Sequence, residues 1–203
     1  MAFPSPQHGD HRKGARQPER FNPERASQLD DPSRFEYLAP SAVANLLDVP
    51  IGGDLADFGT GTGTYALELA QLRPDVTVYA LDELPEMLER LRSKPSAAAL
   101  SNLKPMLGPE AAELTGRMDR VLALNVLHEL GDKALQQLAG LLKPDSFALF
   151  IDWNAAVERP VGPPTDHVYT PSEAKSRLQG LGWKILLERT FPYHYAFRAR
   201  PVK

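Results

Sequence analysis

The segment Asp57-Phe58-Gly59-Thr60-Gly61-Thr62-Gly63 carries the densest chemical information in the chain. Alternate glycines let a backbone approach a ligand closely and take up left-handed conformations that other residues avoid. Helical periodicity follows directly, and a helix start presents unpaired N–H groups that suit a carboxylate or a phosphate. Asp82 stands about 20 residues further on, at the end of the next apolar run, where a carboxylate can accept two hydrogen bonds from ribose hydroxyls. A glycine-rich turn by itself is also an ordinary passage from strand to helix. Joined to an acidic residue at this distance, it points to a bound nucleoside.

The spelling leaves the nucleoside open. Gly61-Thr62-Gly63-Thr64-Tyr65-Ala66 satisfies the dinucleotide pattern G-x-G-x-x-A, so NAD is not excluded by residue types. Two features weigh against it. The pattern begins two residues late relative to the strand end. Asp57, immediately before the turn's first Phe-Gly step, suits an ammonium group better than a pyrophosphate, because like charges repel.

Further chemistry-bearing residues lie downstream. Of the 5 histidines, His8 and His11 fall in a polar N-terminal stretch, leaving His128, His167 and His194. His128 follows an apolar run at 121–125. His194 sits between Tyr193 and Tyr195 in strand-like sequence, so alternation sends it to the face opposite the two tyrosines, as a packing residue. His167 and Asp166 belong to a long Gly/Pro loop and are candidates for a pocket rim. Asp152, Trp153 and Asn154 leave another apolar run, and Trp153 is a candidate pocket wall or core residue.

The elements that must hold these residues alternate along the chain. Strands are expected at Asp54–Phe58, 76–81, Leu103–Leu107, 121–125 and 147–152, with helices at 41–48, 65–72, 85–91, 132–142 and 172–180 between or around them. Two last strands, 184–189 and 193–199, are close enough to pair as a hairpin. Such alternation argues for an α/β fold in one domain, since each parallel step needs a helical crossover. Residues 1–22 are polar and Pro-bearing and read as a mobile tail. Aromatic and apolar residues enter between 21 and 40, so residues 1–40 form an N-terminal tail that could serve as a lid, ahead of a domain at 41–203.

Composition removes several function classes. There are 0 cysteines, which excludes disulfides, zinc–thiolate sites, iron–sulfur clusters and thiol chemistry. The net charge is −3, from 23 basic and 26 acidic residues, so no one-sided positive field favours nucleic acid or an anionic membrane. No apolar run approaches the ~18 residues of a membrane span. The sequence starts without a secretory pattern, and a cytoplasmic location is expected. No residue pattern calls for a metal.

Taken in order, the motifs resemble those of class I S-adenosylmethionine-dependent methyltransferases. The likeness runs through Asp57 to Gly63 (D-x-G-x-G-x-G), Ala80-Leu81-Asp82 with Pro85-Glu86-Met87-Leu88, the stretch from Asp119 to Leu130, Leu142-Lys143-Pro144, and Gly182-Trp183. It is similar in particular to small-molecule enzymes of the ubiquinone/menaquinone-biosynthesis type. The resemblance implies a Rossmann-like, doubly wound, seven-stranded sheet with the last strand antiparallel and helices on both faces. It implies S-adenosyl-L-methionine as cofactor, a small-molecule methyl acceptor, and S-adenosylhomocysteine as product.

The resemblance also assigns residues. Asp57, Gly59, Thr60 and Gly61 would surround the methionine part, Asp82 would hold the ribose, and Glu83 would lie against the adenine edge. Asn125 would line the cofactor floor. Where relatives place an Asp-Ala pair for the adenine amino group, this chain has Gly108-Pro109-Glu110-Ala111, and Glu110 is the candidate substitute. Met87 is expected in the core. His128 occupies the place of the catalytic histidine in plant-type O-methyltransferases and is the candidate general base, with a loop-holding histidine as the alternative. A non-catalytic cofactor-binding module and an NAD-dependent reductase are the competing readings.

Overall fold

A computed structural model describes residues 23–202 of the 203-residue chain. The stretch read above as a mobile tail, with His8 and His11, lies outside the described residues. The described chain opens with a 3-10 segment, Pro23–Asp30, then α1 (Arg34–Tyr37) and α2 (Pro40–Leu47). The alternating part follows: β1 (Asp54–Phe58), α3 (Thr64–Leu72), β2 (Thr77–Asp82), α4 (Pro85–Ser93), α5 (Pro95–Ala98) and β3 (Leu103–Leu107). After a 3-10 turn at Gly108–Leu114 come β4 (Met118–Leu124), α6 (Asp132–Leu141) and β5 (Leu142–Trp153). A short 3-10 turn at Thr165–His167, α7 (Pro171–Gly180), β6 (Trp183–Thr190) and β7 (His194–Pro201) complete it.

The strands form one 7-stranded sheet in the order β3-β2-β1-β4-β5-β7-β6. Pairings from β3 across to β5 are parallel, and β7 runs antiparallel to both β5 and β6. The seven-stranded, doubly wound sheet with an antiparallel last strand is therefore as the motif order implied.

Two apolar layers flank this sheet, and the central strands feed both by simple alternation. On β4, Leu122 and Leu124 point into the layer under α2 and α3, while Val121 and Ala123 point into the layer under α6 and α7. On β5, Leu149 and Ile151 take the first side, Ala148 and Phe150 the second. The α6 face expected from sequence is present, with Leu135, Leu138 and Leu141 buried.

Boundaries shift where tertiary pairing outweighs local pattern. The strand expected at 121–125 begins earlier, at Met118, and ends at Leu124, because Asn125 turns into the left-handed region at φ 57°. The strand expected from 147 reaches back to Leu142, which pairs with Met118 across an irregularity in the ladder. At the same end of these strands, Arg120 and Arg198 stack on Phe147 and donate to Leu47 O and Leu46 O at 2.9 and 2.7 Å. They satisfy carbonyls that the end of α2 leaves without helical partners.

Candidate functional site

Winding reverses between β1 and β4: β2 and β3 lie to one side, β5 to the other. Loops leaving adjacent carboxyl ends then diverge to opposite faces, which opens a crevice. A cavity of about 940 Å³ occupies that position, at the upper end of the range for small-ligand pockets. Asp57 lines it from β1, Gly59, Thr60 and Gly61 from the loop that follows, Asp82 and Glu83 from the end of β2, and Asn125 from just beyond β4.

The glycine turn hangs from its neighbour strand. Gly59 and Thr60 N–H both donate to Leu81 O at 2.9 Å. Gly61 N–H donates to Asp82 Oδ2 at 2.8 Å, and Leu84 N–H donates to Asp82 Oδ1 at 2.9 Å. Asp82 thus fixes both the turn and the start of α4. Asp57 is 3% exposed and accepts a hydrogen bond from Thr60 Oγ1 at 2.7 Å. Burial pushes its carboxyl up to about 6; the Thr60 hydroxyl pulls the other way and the nearby charge of Asp82 adds to the rise. Burial also raises Asp82, against its two backbone hydrogen bonds, with Glu83 and Glu129 contributing.

Gly63 closes the turn at φ +74°, and a Cβ there would stand 2.4 Å from Leu91 Cδ1. Leu91 is fully buried and cannot yield. Gly63→Ala is therefore expected to destabilise the fold by about 2–4 kcal/mol, from left-handed strain plus overpacking. A thermal melt in which the variant matches the parent would contradict this.

The N-terminal segment packs directly on the turn. Asp30 accepts from Thr62 Oγ1 at 2.7 Å, Thr64 Oγ1 at 2.9 Å and Lys94 Nζ at 2.6 Å. Thr64 Oγ1 also donates to Leu29 O at 2.9 Å, and Leu29 sits where a side chain on Gly61 would be, 2.9 Å from the position of a Cβ. Tyr65 donates to Leu38 O at 2.8 Å and meets Phe35 edge-on. Arg34, 9% exposed, lies over the Tyr65 ring and lines the cavity.

Four expected residues are placed differently. Glu110 turns back to its own backbone, accepting from Leu107 N–H at 2.8 Å, and is absent from the cavity lining, which has Gly108, Pro109 and Ala111 instead. A 3-10 turn starting at Gly108 needs a cap for Leu107, and the carboxylate supplies it. His167 and Asp166 lie in a short turn away from the lining. His128 likewise does not line the cavity. Its Nδ1 lies 2.9 Å from the Asp152 carboxylate, which also accepts its backbone N–H at 2.8 Å, and its Nε2 is 3.5 Å from Glu129.

Burial disfavours the charged His128 imidazole, but the charge and hydrogen bond of Asp152, helped by Glu129, raise it to about 10. An imidazolium at neutral pH has no lone pair with which to accept a proton, so this geometry suits a clamp between the 125–130 loop and β5. The folded value lies above the unfolded 6.5, so the clamp's stabilisation is complete below about pH 6.5 and is lost as pH rises towards 10. Melting temperature should fall over that interval in the parent and fall less in His128→Ala. Parallel profiles would contradict the pairing.

Several lining residues escaped sequence reasoning. Arg34 and Leu29 come from a stretch without a motif, and only tertiary packing brings them in. Glu129 could have been found, because it adjoins His128 in an already selected segment. Asn125 was selected, and its Oδ1 is buried without a hydrogen-bond partner at the cavity wall.

Residues 55–145 match a family model described as a methyltransferase domain. A SAM-dependent methyltransferase from Aquifex aeolicus superposes with a TM-score of 0.82 at 29% identity, over 90% of this chain and 100% of that one. The release factor glutamine methyltransferase of Escherichia coli (strain K12) is 28% identical over 119 residues, 55% of this chain and 42% of that protein. The ribosomal RNA small subunit methyltransferase G of Deinococcus radiodurans is 38% identical over 84 residues, 36% of this chain and 33% of that protein. The chain thus spans less than half the length of either curated relative. Among the described residues no helix is long and apolar enough to cross a membrane.

Proposed function

We propose that this chain is a class I S-adenosylmethionine-dependent methyltransferase that methylates a small-molecule acceptor, a reading supported by its methyltransferase-domain match at residues 55–145 and its likeness to the Aquifex aeolicus enzyme. The observation that carries the cofactor part of this reading is the charge pattern of the cavity. Asp57, Asp82, Glu83 and Glu129 line it, against Arg34 as its one lining cation among the described residues. A ligand with two cationic centres and one carboxylate complements that pattern. A pyrophosphate would add negative charge beside the carboxylates, which disfavours the NAD reading.

S-adenosylmethionine bound here would supply a methyl group already activated by its sulfonium. The residues' work is placement. Asp57 would face the ammonium, Arg34 the carboxylate, and Asp82 the ribose diol. Glu83 would lie at the adenine edge beside Gly108 and Ala111. Asn125 Oδ1 supplies an acceptor at the floor. His128, held by Asp152, keeps the loop bearing Asn125 and Glu129 in register with β5.

The segment from Pro23 to Leu38 is the lid of this reading. Asp30 ties it to the glycine turn, so Asp30→Ala should speed S-adenosylhomocysteine release about fivefold, for a loss of about 1 kcal/mol. Stopped-flow dissociation checks this, and an unchanged rate would make the segment a passenger.

The acceptor class is tested by transfer of a labelled methyl group to a metabolite panel, with release-factor protein and ribosomal RNA alongside. Label in small molecules supports the proposal. Label only in protein or RNA, the acceptors named for the relatives, would overturn it, and binding without any transfer would leave a non-catalytic module.

A further inference from the structure

Beyond Arg34, at the carboxyl end of β5 and the amino end of the antiparallel β7, lies a second cluster outside the cavity lining. The fully buried His194 ring forms a triangle with Trp153, at 4.2 Å, and Tyr37, at 5.8 Å and within 14° of parallel, the last two being 6.0 Å apart. Neither His194 nitrogen has a hydrogen-bond partner. Arg159 Cζ lies 5.6 Å from the centre of the Trp153 ring. Its Nη1 donates to Pro163 O at 2.7 Å, but its Nε and Nη2 are buried and unpartnered. Gly162 allows this approach, since a Cβ there would stand 2.9 Å from Arg159 Nη1 and 3.0 Å from the Trp153 ring.

A half-buried guanidinium with idle N–H groups is costly, and so is a buried imidazole with neither nitrogen satisfied. The carboxylate nearest in effect is Asp152, but it already accepts from His128 N–H, His128 Nδ1 and Trp153 N–H. Arg159 therefore has no free carboxylate within hydrogen-bond reach, since the oxygens of Asp152 are already taken. His194 adds no charge, being pushed down to about 4 by burial first and then by Arg34 and Arg159, against the pull of Asp152. The covers of the cluster, Tyr37 and Arg159, come from α1 and the 154–164 loop rather than from the sheet.

Resting on the methyltransferase reading above, we infer that the methyl acceptor is a flat, anionic small molecule: its carboxylate pairs with Arg159 Nε and Nη2, and its ring replaces Tyr37 over His194 and Trp153. A planar fork matches a carboxylate in bidentate fashion, and the stacked rings select a flat body.

Benzoate and its uncharged counterpart benzamide are the probes. The chain has 2 tryptophans, so a ¹⁵N spectrum holds two indole signals, and Trp153→Phe assigns them. Benzoate should shift the Trp153 indole signal saturably in protein loaded with S-adenosylhomocysteine, and benzamide should not. Arg159→Met should weaken benzoate at least about tenfold, the order of one charge-assisted pair, while Arg159→Lys restores part of it. S-adenosylhomocysteine affinity should be the same in all three proteins, which also reports that the variants fold. Equal response to both probes, or none, in protein that binds S-adenosylhomocysteine overturns the anionic acceptor and leaves the cofactor reading standing. Loss of S-adenosylhomocysteine binding by the parent protein instead removes the cofactor reading, and the acceptor assignment with it.

Discussion

Asp82→Ala is expected to weaken S-adenosylhomocysteine by about a hundred- to a thousandfold, the equivalent of two charge-assisted hydrogen bonds. The carboxylate stands at the tip of β2, where each oxygen takes one backbone N–H, from Gly61 and Leu84. Its remaining lone pairs face the cavity and can receive a ribose diol. Removing it therefore acts twice, on the ligand's hydroxyls and on the turn that cradles the rest. Asp82→Asn separates the two effects: its amide oxygen can still accept one backbone bond, but its NH₂ opposes the other N–H. An intermediate loss is expected for Asn, in a calorimetric titration of all three proteins. A change of only a few fold for Ala would mean that no diol rests on Asp82.

Asp57→Asn should move stability and binding in opposite directions. An acid whose folded value lies at about 6 against 3.8 unfolded is a burden on the folded state. The burden is absent below 3.8, grows as pH rises to about 6, and stays constant above, on the order of 3 kcal/mol. The amide escapes it, so the variant without ligand should melt higher than the parent at pH 7 and no higher at pH 4. Binding reverses the sign. A cationic ligand pairs with the ionised carboxylate, so the parent's affinity for S-adenosylmethionine should fall about tenfold per unit of pH below 6, one proton being displaced. The variant should bind weakly at every pH, with a flat profile. A parent profile equally flat across that range would remove Asp57 from ligand contact.

The contrast between what the residues foretold and what they concealed has a physical pattern. The sheet was legible because buried parallel strands must be short apolar runs separated by helices, as at Val121, Leu122, Ala123 and Leu124. The glycine turn was legible because its backbone conformation restricts residue type, as Gly63 demonstrates against Leu91. Asp82 was legible because a strand end is a fixed point relative to that turn. Glu110 misled because a carboxylate near an expected contact can equally cap its own turn, and the choice depends on a backbone angle rather than on spacing. His128 stood open between a base and a loop-holding residue for a related reason. Its partner Asp152 is 24 residues away and comes alongside only when β5 pairs with β4. Arg34 was invisible since its role is set wholly by the docking of the N-terminal segment on Tyr65. The Arg159–Trp153–His194 cluster likewise joins a loop to two strands that meet only in the sheet.

The central claim is that the crevice between β1, β2 and β4 holds an adenosyl sulfonium and its demethylated product. Isothermal titration of the purified chain with S-adenosylmethionine, S-adenosylhomocysteine and NAD, each alone, tests it most directly. Saturable heats are expected with the first two, at one site per chain, and none with NAD. Heat with NAD alone, or silence with all three from folded protein, would contradict it.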